Sequence, residues 1–460
     1  MCAVYYQYFL LIIDQLFIDI VGGTFMDNYK HLKNILHHII SDMDDSRSLF
    51  CVNPDTDFIR SRKLDFKTTI TSILCMETGS LKDELFKFFD VPLSVPTSSA
   101  FVQSRSKIKM EAFLHIFNTF NTKTYDEKLF KGYRLLAIDG SELSIDNTFQ
   151  DDDTTIRNCN QFNKSYSAFH LNASYDLLEC TYDDLIIQGQ AKMDENDAFC
   201  QIVDRYQGNK AIFIADRGYE SYNGFEHVVK SGNKYLIRVK DIHSRTSILK
   251  SLGPFPDGEF DIDVSRVLTL KNTNMVKACP HYYKWCPKNM RFDYMTKEDP
   301  WYEFNCRIVR FKITEDTYEC IITNLDRNEF SIEDIKKLYN KRWGIETSFR
   351  QVKYAIGLNA LHSKKRELIQ QEIYARLTLY NLTQRTVQKV KIPKKERKYT
   401  YQVNFTRACH LIRKFLNKKD GKTPSLENLI VKEILPIRPG RSHKRNVKSK
   451  KFVQFNYRFD

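Results

Sequence analysis

Tyr339, Arg342, Glu346 and Lys353 stand at offsets of 0, 3, 7 and 14 residues. At about 100° per residue, all four fall within a roughly 60° arc of one helix face. A phenol, a guanidinium, a carboxylate and an ammonium on one stripe do not make a core-packing face. They make a surface that can hold phosphate and a metal ion. Arg342 offers a bidentate fork, Lys353 a point charge and Tyr339 a hydroxyl that can donate to a phosphate oxygen. An ordinary solvated helix face is the plainer reading of Arg342 and Lys353, so the elements around the stripe matter.

Two of those elements are short apolar runs closed by an acid. Leu135-Leu-Ala-Ile-Asp139-Gly-Ser141 and Ala211-Ile-Phe-Ile-Ala-Asp216-Arg-Gly218 each read as a fully buried strand that releases a carboxylate at its exit. An aspartate there is also a common cap for the following turn. Between the two, Ser165–Ser174 and Thr181–Gln188 read as strands. Asp194–Gln207 reads as a helix with Asp194 or a neighbour as N-cap. Three strands, a helix and a strand beside the first is the order of a ribonuclease-H-like core, an α/β fold with a mixed sheet and flanking helices. Carboxylates converging from adjacent strands repel unless a cation lies between them. Hard divalent ions with oxygen ligands fit that need, so two Mg²⁺ ions are expected, with Mn²⁺ as a substitute.

With these residues in place the chain resembles a DDE transposase of the bacterial insertion-sequence-four family. The signature of that family is a tyrosine, two residues, an arginine, three residues, a glutamate, six residues and a lysine. Tyr339, Arg342, Glu346 and Lys353 satisfy it without a gap. The resemblance covers the chain from about Asp57 to its basic tail. It implies that Asp139, Asp216 and Glu346 form the catalytic, metal-binding triad, with Tyr339, Arg342 and Lys353 on DNA phosphates. Glu142 and Glu220 are weaker acidic candidates, while Asp146 and Asp151 to Asp153 read as loop charges. The implied activity is cut-and-paste transposition in the bacterial cytoplasm, at the nucleoid. Its steps are nicking at an element end, attack by the freed 3′-hydroxyl and strand transfer into target DNA. The implied partners are double-stranded DNA, as terminal inverted repeats and target, and a second copy of the chain in a synaptic homodimer.

Positions 216 and 346 are 130 apart, more than one connection in a compact core requires. The interval carries strand-like runs at Lys234–Lys240, Glu259–Val264, Phe304–Ile313 and Tyr318–Asn324, and reads as a β-rich insertion. Transposases that this chain resembles carry such an insertion here, and in some it supplies an aromatic that receives a flipped base. Trp285 and Trp301 are the candidates, although tryptophans among so many tyrosines also suit plain packing. Cys279, His281 and Cys286 lie near one another but lack a second ligand pair at zinc-site spacing.

Upstream, Met26–Met43, Lys67–Glu77 and Lys82–Phe89 read as amphipathic helices. Pro92 and Pro96 break the pattern before a helix opening at Thr97 or Ser98. This last pair has helix-turn-helix character. Gln103, Arg105, Ser106, Lys107 and Lys109 are types able to read base edges or grip phosphate at the element ends.

A formal charge of +14 and a pI near 9.1 suit a nucleic-acid partner. Between Arg438 and Lys451 there are seven Lys or Arg and no acid. With Phe452, Phe455 and Tyr457 behind it, that stretch reads as a phosphate-binding arm or a solubilising tail. Lys394, Lys395, Arg397 and Lys398 form a second patch between helices Arg366–Val390 and Asn404–Leu416. The eleven cysteines form no CxxC pair and fit reduced thiols. Tyr5–Val21 is too interrupted by acids for a membrane span, so no membrane partner is expected. Because Met26-Asp-Asn-Tyr-Lys begins like a soluble start, residues 1–25 read as an upstream extension.

The domain reading is then 26–130 as a helical end-binding region and 131–225 as the first part of the core. The β-rich insertion follows at 226–330, the second part of the core with the glutamate helix at 331–363, and the helical, basic C-terminal region at 364–460. The rival readings are a catalytically silent repressor or architectural factor and a host DNA nuclease on the same core.

Overall fold

The computed structural model describes residues 28–438 except 91–94, 147–150, 158–164, 316, 394, 396 and 419–424. The expectations for the first 25 residues, Tyr5–Val21, the start at Met26, Pro92, Lys394 and the tail beyond Arg438 lie outside them.

The N-terminal region is helical: α1 (Asn28–Asp45), α2 (Phe66–Cys75), α3 (Leu81–Phe89), α4 (Ser98–Arg105) and α5 (Met110–Thr124). Side chains start three of these helices. Asp65 accepts from Thr68 N–H, Ser80 from Asp83 N–H and Thr97 from Ala100 N–H, each satisfying a donor the helix itself leaves open. Helix α4 ends at Arg105, and Lys107 and Lys109 lie in the turn before α5 rather than on a recognition helix. Helix α5 buries Phe113, Ile116, Phe117 and Phe120, an i, i+3, i+4, i+7 stripe.

The core follows as β1 (Arg134–Ile145), β2 (Thr155–Ile156), β3 (Tyr166–Asp176), β4 (Thr181–Gly189), α6 (Glu195–Arg205), β5 (Ala211–Ala215), α7 (Tyr222–Lys230) and β6 (Lys234–Val239). Strand β3 pairs antiparallel with β1 and with β4, whereas β5 is parallel to β1 and β6 to β5. The order β4-β3-β1-β5-β6 is that of a ribonuclease-H-like core. Lys234–Val239, expected in the insertion, is therefore the fifth core strand. The parallel connection between β5 and β6 needs only one crossover helix, and α7 supplies it.

Four more strands, β7 (Phe260–Thr269), β8 (Tyr283–Trp285), β9 (Trp301–Thr314) and β10 (Thr317–Thr323), surround the short helix α8 (Asn274–Ala278). They extend the same sheet, because β10 pairs antiparallel with β6 and continues through β9 and β7 to β8.

The chain then returns across the sheet through α9 (Ile332–Lys341), α10 (Trp343–Arg350) and a π-helical turn, Gln351–Ile356. Single-helix geometry was expected from Tyr339 to Lys353, and the structure breaks it twice. At the first break Arg342 N–H bonds to Tyr339 O and Ile345 N–H to Arg342 O, tighter i→i−3 closures. At the second the helix widens around Lys353. Gly357 then ends it at φ +86°, with its Cα so close to Thr78 that a side chain there would collide. Helix α11 (Arg366–Gln388) is buried nearly all round, and β11 (Tyr401–Val403), α12 (Phe405–Leu416), α13 (Leu426–Lys432) and β12 (Ile434–Pro436) complete the C-terminal region.

Alternation along the strands sorts the core. Ala137, Phe169, Leu171 and Tyr175 face α5, α10 and α11, and on the same side α9 covers Ile212 and Ile214 with Ile335 and Leu338. Leu136, Ile138 and Phe213 face Phe199 and Val203 of α6 and Phe225 and Val228 of α7. Asp139 and Asp216 continue the first of these sets, so both carboxylates belong to the face that carries the α9–α10 helix. Among the described residues no helix is long and apolar enough to cross a membrane.

Candidate active site

Asp139 does not end its strand. Strand β1 runs on to Ile145 opposite β3, but its pairing with β5 stops at Ile138 and Ala215. The longer strand thus carries Asp139 past the end of its neighbour, where its side chain is 22% exposed. Asp216 is the first residue after β5 and also caps a turn, its Oδ1 accepting from Gly218 N–H at 2.7 Å. The cap reading holds for this residue.

Glu346 lies in the first turn of α10 and keeps a side chain that is 38% exposed. One residue joins it to the strands. Arg342, only 5% exposed, donates from Nη2 to Glu346 Oε1 at 2.7 Å and holds Nη1 at 3.9 Å from Asp139 Oδ2. Its Nε has no hydrogen-bond partner. Tyr339 is buried with its hydroxyl unpartnered, and burial pushes that phenol up to about 12. Neither side chain sits on a solvated helix face. Lys353 donates to the carbonyl of Glu142, tying the helix to β1, and burial lowers its ammonium below the usual lysine range.

Asp139 feels the whole arrangement. Burial raises its carboxyl, Arg342 opposes the rise, and Asp216 and Glu346 add to it, for a result of about 7. As they stand, no three His, Cys, Asp or Glu among the described residues are gathered tightly enough to hold a metal ion. The donor set at Asp139, Asp216 and Glu346 does fit a hard divalent ion: all donors are carboxylate oxygens, their mutual repulsion is visible in Asp139, and a single guanidinium opposes it.

The other expected residues are spread more widely. Arg105 is 2% exposed and spent on α11, donating from Nε to Gln371 Oε1 at 3.0 Å, from Nη1 to Glu372 Oε1 at 2.9 Å and from Nη2 to Leu368 O. It cannot reach a base edge. Burying the charge required a carboxylate, and Glu372 provides it. Lys107 pairs with Asp57 at 3.8 Å and Lys109 donates to Leu49 O at 3.2 Å. Gln103 and Lys107 line a cleft of about 520 Å³ with Arg60, Arg62 and Lys63. Trp301, half-buried, packs at 5.6 Å against Tyr283. Trp285, 41% exposed, borders a cleft of about 1030 Å³ with Arg245, Lys250, Lys277 and Lys284. Glu220 is occupied by Lys240 at 2.9 Å, and Glu142 accepts from Tyr166. Asp146 pairs with Lys364, and Asp151 and Asp153 with Arg366, as ion pairs outside the site.

Sequence reasoning did not find His170 and Glu195. Their side chains meet at 2.9 Å directly behind Gly140. That meeting depends on the β1–β3 register, in which Gly140 opposes Asn172 and Glu142 opposes His170, and no local pattern reveals it.

Residues 130–382 match the family model described as transposase DDE domain. Over 136 residues the chain is 28% identical to the transposase InsG for insertion sequence element IS4 of Escherichia coli (strain K12). That alignment covers 27% of this chain and spans 30% of the relative's length. The cryo-EM structure of a piggyBac transposase synaptic complex with hairpin DNA aligns at a TM-score of 0.43 and 12% identity, over 91% of this chain and 86% of that one.

Proposed function

The chain belongs to the transposase DDE domain family, and from that premise we propose that it catalyses cut-and-paste transposition: cleavage at the ends of an insertion sequence and strand transfer into target DNA. The observation that carries this reading is Arg342, which joins Glu346 to Asp139 across more than half of the matched region.

Asp139, Asp216 and Glu346 would hold the divalent ions, Mg²⁺ or Mn²⁺. When bound, these supply activation of a water or 3′-hydroxyl and charge neutralisation at the phosphate. Arg342 is the site's own cation. Its buried, fork-shaped guanidinium keeps the glutamate helix in register with β1 and places positive charge beside Glu346 and Asp139, where it would attract a phosphate flanking the scissile bond. Tyr339 offers a hydroxyl with no competing partner. Lys353 fixes the helix against the strand that carries Asp139. Positioning and charge compensation are the protein's main contributions to such a reaction.

Double-stranded DNA is the partner, and two element ends would be held by two copies of the chain. The cleft lined by Arg60, Arg62, Lys63, Gln103 and Lys107 suits the backbone of an end. Of the two tryptophans, Trp285 is the one we assign to base capture, because its ring is accessible at a cleft bordered by cations.

The test is a labelled donor with the element's own ends, incubated with Mg²⁺ and the purified protein beside Glu346→Gln. Cleavage and joined products from the parent, absent in a variant that still binds DNA, are expected. Cleavage without joining would point to a nuclease, binding without chemistry in both to a silent DNA-binding protein, and equal cleavage in both would remove Glu346 from the site.

A further inference from the structure

The described site is gripped from one side of the sheet by Arg342, and a second grip comes from the other. Gly140, next to Asp139, has its Cα turned toward α6. A side chain there would collide with His170 Nε2 and lie 2.5 Å from Glu195 Oε1. His170 is buried, with Nε2 at 2.9 Å from Glu195 Oε1 and Nδ1 at 3.1 Å from Gln190 Oε1. The other oxygen of Glu195, Oε2, lies 3.7 Å from where a Gly218 side chain would begin, and Gly218 is the residue whose N–H is held by Asp216. One glutamate therefore lies beside the strand residue that follows Asp139 and near the turn that Asp216 caps. No lysine or arginine is paired with it among the described residues. A second observation marks the same place. Tyr219 is 1% exposed with its hydroxyl unpartnered among the described residues, and its phenol is raised by burial and by the charges of Glu195, Asp139 and Asp216, with Arg342 opposing.

We propose that Glu195, with His170 beside it, is a fourth acidic positioning residue of the catalytic cluster, supporting the Asp139 strand and the Asp216 turn from behind and strengthening the retention of a hard divalent cation. The proposal rests on the transposase reading of that cluster. A carboxylate beside two ligand-bearing segments fixes their orientation and adds negative charge where a dication would lie. Losing such a supporting group typically costs about 10–100-fold in metal affinity. Glycine at position 140 then has a reason of its own, since any other residue would displace the pair.

Binding of Mn²⁺ to the full-length protein, followed by electron paramagnetic resonance, tests this without relying on turnover. Glu195→Gln is expected to weaken Mn²⁺ binding by about 10–100-fold, with the thermal midpoint and DNA affinity close to the parent's. Glu195→Asp should recover part of the loss, and His170→Gln should weaken binding in the same direction but less. Superimposable Mn²⁺ titrations for Glu195→Gln and the parent overturn the proposal. So do parent-like titrations for Glu195→Asp and His170→Gln should Glu195→Gln fail to fold. If Glu346→Gln abolishes binding and Glu195→Gln leaves it intact, this inference falls alone. If the parent binds no Mn²⁺, the metal-site reading falls and takes this inference with it.

Discussion

Two buried arginines, Arg105 and Arg342, come from stretches that look alike in the sequence, each a helix segment rich in polar and basic residues. The structure makes them opposites. Arg105 is sealed: all three of its nitrogens find acceptors on α11, and its partner Glu372 is buried as well. Arg342 is left open, with an unpartnered Nε, a partner that reaches solvent and a second carboxylate just beyond hydrogen-bond distance. A closed pair binds the N-terminal helices to α11, whereas the pair at Arg342 leaves hydrogen-bonding capacity unused. What separates the two charges here is whether that capacity is used up, not how deeply the charge is buried.

The largest effect that would break this contrast is on stability. Arg105→Met leaves Glu372 buried without its main counter-charge and is expected to cost about 3–5 kcal/mol in denaturant unfolding. Cleavage per folded molecule should hardly change. Burial raises the Glu372 carboxyl, but Arg105 and His362 more than reverse this and hold it well below the usual carboxylate range. Stability from a carboxyl with a depressed folded-state pKa is fully present above its unfolded value and is lost as pH falls through the folded one. The parent's share of this stability should thus stay constant from about pH 8 to pH 5 and be lost only in acid below about pH 4. A parent that loses it near neutrality would mean the pair is not sealed.

Arg342→Lys inverts the pattern. A point charge cannot span Glu346 and Asp139 as the fork does, so cleavage should fall by about 10²–10³-fold while the unfolding midpoint moves little. An active Arg342→Lys protein would place phosphate recognition elsewhere. Smaller again is Trp285→Ala, expected to remove about 1–3 kcal/mol of base stacking from the step that needs a flipped base, with Trp301→Ala instead lowering stability. If the two tryptophans exchange these effects, the packed one is the base receiver. The mildest change is Arg60→Ala or Arg62→Ala, each of which should reduce the salt dependence of DNA binding by about one ion, read from affinity against salt concentration.

Much of the site was legible along the chain because its chemistry is encoded in short segments. The five apolar residues before Asp216 read as a buried strand and form one, and Arg342 and Glu346, four residues apart, meet as their spacing suggests even though the helix is interrupted between Tyr339 and Glu346. Other parts were not legible, and each failure has a local cause. Asp139 looked like a strand end because Gly140 follows it, yet Gly140 serves the close approach of His170 and Glu195 within a strand that continues. Lys234–Val239 has the same composition as the insertion strands, and only its parallel pairing with β5 makes it core.

The identities and spacings of neighbouring residues by themselves determined which side chains share a face: Asp139 and Asp216 in step with the alternation of their strands, and Arg342 one turn before Glu346. Only the tertiary structure decided which of those faces would be closed. Arg105 meets Glu372 across 267 positions of sequence, and Glu195 reaches Gly140 only through the register of β1 and β3. Burial, charge compensation and spare hydrogen-bonding capacity depend on what a distant element brings to the contact, and local spacing carries no record of that.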